Sequence, residues 1–402
     1  MNSPDNSYDV IIAGGGPAGS SLGIRLAVEG LSVLLVEQKQ FPRPKLCGEF
    51  ISPECWCYFD QLGVTAPVHS AGGTRLKQTV FYARRGHSVS VPSDWLQRSS
   101  SALGLSRAEM DEILLLRAKE CGVTVLEGAT ANALIQDGAE VRGISVKHNE
   151  RVKQFVAALT IDATGRSRSL VRRVGGSNAY KAVRPAHVAF KVHLRNAQVA
   201  ADACEIYFYR GGYGGLNGIE NGLSNLCFIV SADDARSNDS DPLKLMNKVL
   251  VENRRAAFTL ERTEVAGPWL AVSLESFGEK NPVPATGLLT VGDAAAFIDP
   301  FTGSGILMAL ECSELAAATI IGHRKQLHER VTLHRVAKAY SDSHKRAFKS
   351  RLRVSALLRR AAFVPRLADM AILMSSNQQL RQLLTQATRS SWWMGSMRHP
   401  SA

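Results

Sequence analysis

Three short stretches carry the residue types that could do chemistry. In "GDAAAFIDPFTGSGI", residues 292–306, a carboxylate follows a glycine and a proline–glycine turn leads into an apolar run. Asp293 offers hydrogen-bond acceptors. Gly303, Ser304, Gly305 and Ile306 open a helix whose free N–H groups and partial positive charge suit an anion or an electron-rich ring. Alone, this stretch equally fits a plain strand–turn–helix crossover. The second, "YDVIIAGGGPAGSSLGIRLAVEGLSVLLVEQ", holds Gly14, Gly16 and Gly19 in GxGxxG spacing around Pro17 and Ala18, and ends on Glu37 and Gln38. The third, "FPRPKLCGEFISP", sets Arg43 and Lys45 beside Cys47, Gly48 and Glu49.

The elements that must position these residues are legible around the second stretch. Asp9 to Ala13 is an apolar run of strand length. Leu22, Leu26 and Ala27 follow a helical period, and "LSVLLVE" is a second strand. This is the dinucleotide fingerprint in its full context of strand, tight turn, helix, strand and acid. Gly14 permits the turn, Gly16 admits a pyrophosphate to the backbone, and Gly19 lets the helix pack close to the strand. Glu37 accepts hydrogen bonds from a ribose 2′-OH. Downstream, "LSRAEMDEILLLRAKECGVTVLEG" reads as a helix with apolar Ile113, Leu114 and Leu116, then a strand. Residues 176–280 alternate apolar and polar positions ("HVAFKVHL", "EIYFYR", "NLCFIVS") and read as an antiparallel sheet with one wet or ligand-facing side; residues 76–98 add further strands.

Taken together, Gly14–Gly19, "DATGRSRSLVRR" (162–173) and residues 292–306 resemble the FAD enzymes of the p-hydroxybenzoate hydroxylase and geranylgeranyl reductase superfamily, over roughly residues 8–320. The resemblance implies an α/β fold. A Rossmann-like FAD domain (1–75, 100–175 and 280–335) is interleaved with an antiparallel-sheet substrate domain (76–99 and 176–279), before a basic helical segment, 336–402. It also implies that Gly292 and Asp293 hold the ribityl–pyrophosphate of FAD, with Ala163 and Gly165 alongside. Gly303–Ile306 would lie under the isoalloxazine, and Arg107 would approach the flavin or its phosphates. The third stretch resembles the K-x-C-G segment of geranylgeranyl reductases and, more loosely, that of flavin-dependent halogenases. By that likeness Arg43 and Lys45 touch FAD or attract a nicotinamide nucleotide, and Cys47 lines the cavity. The flavin is expected to be non-covalent, since the N-terminal fingerprint region holds no histidine; with no second GxGxxG, NAD(P)H is expected to dock transiently or to be replaced by another electron carrier. Two departures bear on the reaction. At "YRGGYGGLNGIENG" the chain lacks the tryptophan motif of geranylgeranyl reductases, and no Trp-x-Trp-x-Ile-Pro signature of halogenases occurs.

Composition narrows the class. The 402 residues suggest two domains, and seven scattered cysteines fit a reducing cytoplasm rather than a disulfide framework. Cys55-Trp56-Cys57 lacks a second cysteine pair for a metal. No apolar run reaches membrane-span length. The net charge of +12 is carried by residues 321–402, with 16 Lys/Arg against 3 Asp/Glu. That balance predicts either helices packed on the FAD domain or a peripheral contact with a membrane surface or acidic carrier; no motif points to nucleic acid. The expectation is a cytoplasmic FAD-dependent oxidoreductase acting on a lipophilic small molecule, first as an NAD(P)H- and O₂-dependent monooxygenase. The alternatives are saturation of prenyl double bonds and, in a different class, a non-catalytic flavin-binding partner protein. No catalytic side chain stands out; Cys47, Glu49 and Tyr213 are the cavity candidates, with Tyr207 and Tyr209 nearby.

Overall fold

The computed structural model describes residues 6–98, 100–174, 185–274, 277–363, 378, 379 and 382. One sheet runs in the order Thr124–Leu126, Val33–Val36, Ser7–Ala13, Arg151–Asp162, Glu140–His148 and Thr130–Asp137. Leu288–Thr290 pairs in parallel with the far end of Arg151–Asp162. The strands nearest Ser7–Ala13 are parallel and covered on both faces, so Val10, Ile11 and Ile12 are fully buried and read as an unbroken apolar run. The helices Pro17–Val28, Arg107–Glu120 and Gly305–Ile321 share one core with that sheet. Ser21 and Ser313 hydrogen-bond across the first and last of them.

The buried stripe of Arg107–Glu120 is Met110, Asp111, Leu114, Leu115 and Ala118; of the expected apolar positions Leu114 belongs to it, Ile113 is partly buried against the same core, and Leu116 does not. Leu116 is 49% exposed. Asp111 also turns inward, where it meets Arg107 and Arg43.

The second sheet runs Glu264–Val265, His187–Arg195, Ser224–Ser231, Gly212–Gly218, Ala203–Tyr209, Gln78–Tyr82 and Ser88–Pro92, with Leu270–Leu274 also on His187–Arg195. Its outer face (Phe190, Val192, Leu194, Tyr207, Tyr209, Leu226, Phe228) packs with Leu245, Leu250 and Leu260. Its inner face looks toward the first sheet.

Four details depart from the sequence reading. Gln78–Tyr82 pairs in parallel with Ala203–Tyr209, because the chain crosses between sheets before returning. Helices Ala232–Ser237, Pro242–Lys248 and Arg254–Leu260 stand where strands were expected, each started by a side-chain cap from Ser231, Asp241 or Asn253. Thr74–Leu76 spans the expected 75/76 boundary. The helix Arg330–Ala362 runs through the 335/336 boundary, since nothing between those residues is a glycine or proline. Of the residues assigned to the basic tail, most beyond 363 lie outside the described ones.

Candidate functional site: a groove between the two sheets

A cavity of about 1130 Å³ runs from the first glycine loop to the inner face of the second sheet. The residues singled out in the three stretches line it together, as do Ala163, Gly165, Arg107 and Tyr213. Gly19 and Ser304 do not. A Cβ on Gly19 would stand 1.9 Å from the Gly14 carbonyl oxygen, so its place is a helix–strand contact. Ser304 is buried at the helix start, with its hydroxyl 2.7 Å from Thr302 Oγ1.

One wall is built for a phosphate-bearing ligand. Gly14 holds φ +111°, and a Cβ there would meet Ala163 O at 2.4 Å. At Gly16 the space is open; the nearest atoms to a Cβ placed there would be guanidinium nitrogens of Arg107 and Arg43, at 3.8 and 3.9 Å. Arg107 forms a bidentate pair with Asp111, 2.7 Å at each arm, which outweighs burial and holds the guanidinium charged. It therefore both braces the helix and faces the loop. Arg43 lies 3.4 Å from Asp111 and 3.8 Å from Glu37, yet its Nε and Nη1 are buried without hydrogen-bond partners. Glu37 accepts from Gly15 N–H at 2.7 Å and Lys39 N–H at 2.9 Å, which fixes its carboxylate at the strand end.

Asp293 sits opposite. Enclosure raises its pKa above the usual carboxylate value, against the pull of Arg166, Lys45 and Arg107. Lys45 projects into the groove, where enclosure and then Arg107, Arg43 and Arg166 lower its pKa. Arg166 is delivered by the turn after Asp162, whose buried carboxylate accepts from Thr164, Leu170 and Val171 backbone N–H groups. A cationic rim facing one carboxylate, open glycine backbone and unsatisfied Arg43 donors fit a dinucleotide diphosphate. FAD fits this set: Gly14–Ala18, Arg43 and Arg107 would hold its phosphates, Glu37 its adenosine ribose and Asp293 its ribityl side.

The sheet wall is different in kind. Phe81, Ile206, Phe208, Ile229, Val272 and Leu274 present apolar surface to the cavity. Cys204 and Cys227 also line it, and burial pushes both thiols up to about 12. Tyr213 donates to Asp299 Oδ1 at 2.5 Å, and Asp299 also accepts from Phe301 N–H at 3.0 Å. Burial raises both pKa values. Tyr207 and Tyr209 belong to the outer face, donating to Glu205 and to Ile229 O; they are corrected from cavity candidates to core residues. The alternation of the strand, with Ile206 and Phe208 inward, puts them there.

Glu49 requires the largest correction. It is fully buried and has a left-handed φ of 52°. Oε1 accepts from Arg107 N–H at 2.8 Å and from Lys191, and His193 Nε2 stands 2.7 Å from Oε2. Burial would raise its pKa, but His193 and Lys191 win and lower it. It is a satisfied anion that ties the sheet to the Lys45–Glu49 segment, not a free acid. Asn225 donates to Cys47 O and Lys191 to Lys45 O, completing the tie. Cys47 Sγ accepts from Glu49 N–H at 3.4 Å. Sequence reasoning missed Lys191, His193 and Asn225. The signal was the polar residue at alternate positions of "HVAFKVHL", opposite Phe190, Val192 and Leu194. Among the described residues no cluster could hold a metal ion, Cys55 and Cys57 included.

The family model described as "FAD binding domain" matches residues 7–317. Digeranylgeranylglycerophospholipid reductase 2 of Methanothermobacter thermautotrophicus is 28% identical over 318 residues, 77% of this chain and 76% of that protein. Among solved structures, a flavin-dependent brominase triple mutant superposes with TM-score 0.79 at 20% identity, covering 97% of each chain. A geranylgeranyl bacteriochlorophyll reductase-like protein of Thermoplasma acidophilum gives TM-score 0.76 at 20% identity, covering 98% of this chain and 99% of that one. No described helix is long and apolar enough to cross a membrane. With the fingerprint, the cationic rim and Asp293 gathered on one groove inside the matched span, the chain belongs to the FAD binding domain family, as an FAD-dependent oxidoreductase of the superfamily that includes geranylgeranyl reductases, halogenases and hydroxylases.

Proposed function

We propose that the protein reduces a carbon–carbon double bond of a lipophilic, isoprenoid-type molecule held between the second sheet and the flavin. The observation that carries this reading is the continuity of the groove. Its lining joins the cations Arg43, Lys45, Arg107 and Arg166 to the apolar sheet residues Phe81, Ile206, Phe208 and Ile229 in one cavity. Similarity to a digeranylgeranylglycerophospholipid reductase supports an isoprenoid body. Gly215 lines the cavity where reductases of this type carry a tryptophan motif, so a bulkier or differently placed chain would fit.

Reduced FAD, when bound, supplies a hydride. The sheet residues would exclude water and orient the apolar chain, and the helix start at Gly305 would favour negative charge on a bound ligand. Tyr213 and Cys47 line the cavity and would furnish a proton, Tyr213 being kept neutral by burial and Asp299. Hydroxylation with NAD(P)H and O₂ is the second reading. The same dry, apolar wall that suits an alkene also suits oxygen chemistry, and no side chain separates the two.

The deciding experiment is turnover of a prenylated quinone or prenyl lipid with reductant, with and without oxygen. Gain of two hydrogens under anaerobic conditions supports reduction. Gain of one oxygen atom with matching oxygen consumption overturns it in favour of the hydroxylase.

A further inference from the structure

The helix Arg330–Ala362 has two unlike faces. The inner one is structural: Tyr340, His344, Phe348, Arg351 and Leu352 are buried, and Arg351 pairs with Glu311 at 2.6 Å. The outer one is a stripe. Lys338, Lys345, Lys349, Arg353 and Arg360 are exposed at spacings of seven, four, four and seven, which keeps them on one side of a helix. They span ~33 Å at the α-helical rise. Among the described residues none of the five is in an ion pair, and Asp342 is the one acid between 330 and 362.

The stripe ends in apolar surface at the cavity. Leu357 is 68% exposed. The next residue, Leu358, lines the cavity, and Phe363 packs edge-on against Tyr213 at 6.0 Å between centroids. Arg359 crosses the ring of Phe277 at 4.5 Å and reaches to 3.9 Å from Asp299. One helix therefore carries a flat run of unpaired cations and, at its end, an exposed leucine beside the apolar half of the groove.

We propose that this outer face is a docking surface for an anionic lipid bilayer, with Leu357 entering the headgroup layer beside the cavity end. A straight row of lysines and arginines with no intervening acid but Asp342 complements a planar array of anionic headgroups. An exposed leucine in line with it fits an interface with an apolar layer beneath. A folded acidic protein would instead match a patch in two dimensions, whereas these five cations lie in a single row. The docking rests on charge and does not depend on which reaction the groove performs.

The test uses the full-length FAD-bound protein in vesicle flotation, with phosphatidylcholine alone and with added phosphatidylglycerol, at low and high salt. Binding to the anionic vesicles alone, released by salt, is expected. Lys345→Glu/Lys349→Glu/Arg353→Glu should weaken it ~100-fold or more, since each cation near such a surface contributes substantially. Leu357→Asp should weaken it several-fold at constant salt. All four side chains are exposed, so flavin content and circular dichroism should match the wild type. Equal binding to neutral vesicles, no binding at low salt, or an undiminished triple variant overturns the proposal. So does capture by an acidic polypeptide such as polyglutamate without capture by vesicles.

Discussion

Glu49 and Asp293 line the same groove, and their surroundings push them in opposite directions. Glu49 has no exposure at all, yet its pKa is lowered, because a backbone N–H, Lys191 and His193 satisfy both oxygens. Asp293 has cations in electrostatic reach and no hydrogen-bond donor among the described residues, and its pKa is raised. A carboxylate that the protein satisfies is part of the scaffold. One that the protein encloses and leaves unsatisfied is held for something else to satisfy.

The comparison breaks most visibly through stability. Glu49→Gln leaves the Lys191 ammonium, 2% exposed, without its anion, and losing one partner of a buried pair typically costs about 3–5 kcal/mol. The urea unfolding midpoint of the protein should fall accordingly. Combining it with Lys191→Met should recover a large part. If Glu49→Gln unfolds within about 1 kcal/mol of wild type, the carboxylate does not tie the sheet to the Lys45–Glu49 segment.

Asp293→Asn should do the converse. It removes charge-assisted bonds to bound FAD, each worth about 1.5–3 kcal/mol, so flavin affinity should drop ~10–100-fold by fluorescence titration. The apoprotein should unfold no more easily than wild type. Its pH dependence has a defined sign. A carboxyl whose folded pKa lies above its ordinary 3.8 holds more protons folded than unfolded, so its contribution to stability declines as pH rises from 3.8 through the raised value. Glu49 works oppositely: its contribution is full above its ordinary 4.5 and is lost as pH falls through the lowered value. Subtracting the Asp293→Asn unfolding curve from that of wild-type apoprotein across this range isolates the first term. A difference that grows more stabilising with rising pH would contradict the assignment.

The cofactor side of this pair was readable in sequence and the scaffold side was not. Gly14, Gly16 and Gly19 announce themselves because their spacing, the strand before them and the helix after them fall in one window of sequence, and the Gly19 contact with the Gly14 carbonyl lies inside it. Asp293 is legible because its own stretch carries the resemblance, although the cations around it, Arg166, Lys45 and Arg107, come from distant stretches. Glu49 meets Lys191 and His193 across more than 140 positions, so no window of sequence contains the interaction. The same distance explains Tyr207 and Tyr209. Residue type marked them as chemistry, but only the register of Ala203–Tyr209 against Gly212–Gly218 decides that Ile206 and Phe208 turn inward instead. The helices after Ser231, Asp241 and Asn253 are a milder case. Their caps are local signals, masked by the alternating runs on either side.

The glycine loop permits a smaller and sharper test. Gly19→Ala places a methyl 1.9 Å from a backbone oxygen, so the helix Pro17–Val28 must shift away from its strand. Overpacking of this kind costs about 1–3 kcal/mol, in apoprotein and FAD-bound protein alike. Gly16→Ala meets nothing closer than 3.8 Å, and the apoprotein should unfold as wild type does. Its methyl would point into the space beside the Arg43 and Arg107 guanidiniums, so it should weaken FAD binding alone. Two alanines three residues apart in one motif would then separate packing from ligand contact. Equal losses of apoprotein stability in both would mean that the loop is tight throughout, and that Gly16 is not where the ligand approaches.

The smallest expected effect is at the far end of the groove, where Tyr213 and Asp299 mix the two behaviours. Asp299 is satisfied on Oδ1 by Tyr213 and by Phe301 N–H, while Oδ2 is buried without a hydrogen bond and Arg359 stands 3.9 Å away. Tyr213→Phe keeps the ring, with its edge contacts to Phe301 and Phe363, and deletes one donor. The cost should be about 1 kcal/mol, since Asp299 keeps a backbone donor and its raised pKa lets it take up a proton instead. Flavin affinity should not change, because Tyr213 belongs to the sheet wall. If Tyr213 furnishes the proton, turnover should fall well beyond what the stability change explains, with the Michaelis constant nearly unmoved. If it only braces the loop that carries Phe301, the loss should appear in unfolding and not in the rate. A variant that retains the full rate assigns proton delivery elsewhere on the wall, with Cys47 the next residue to change.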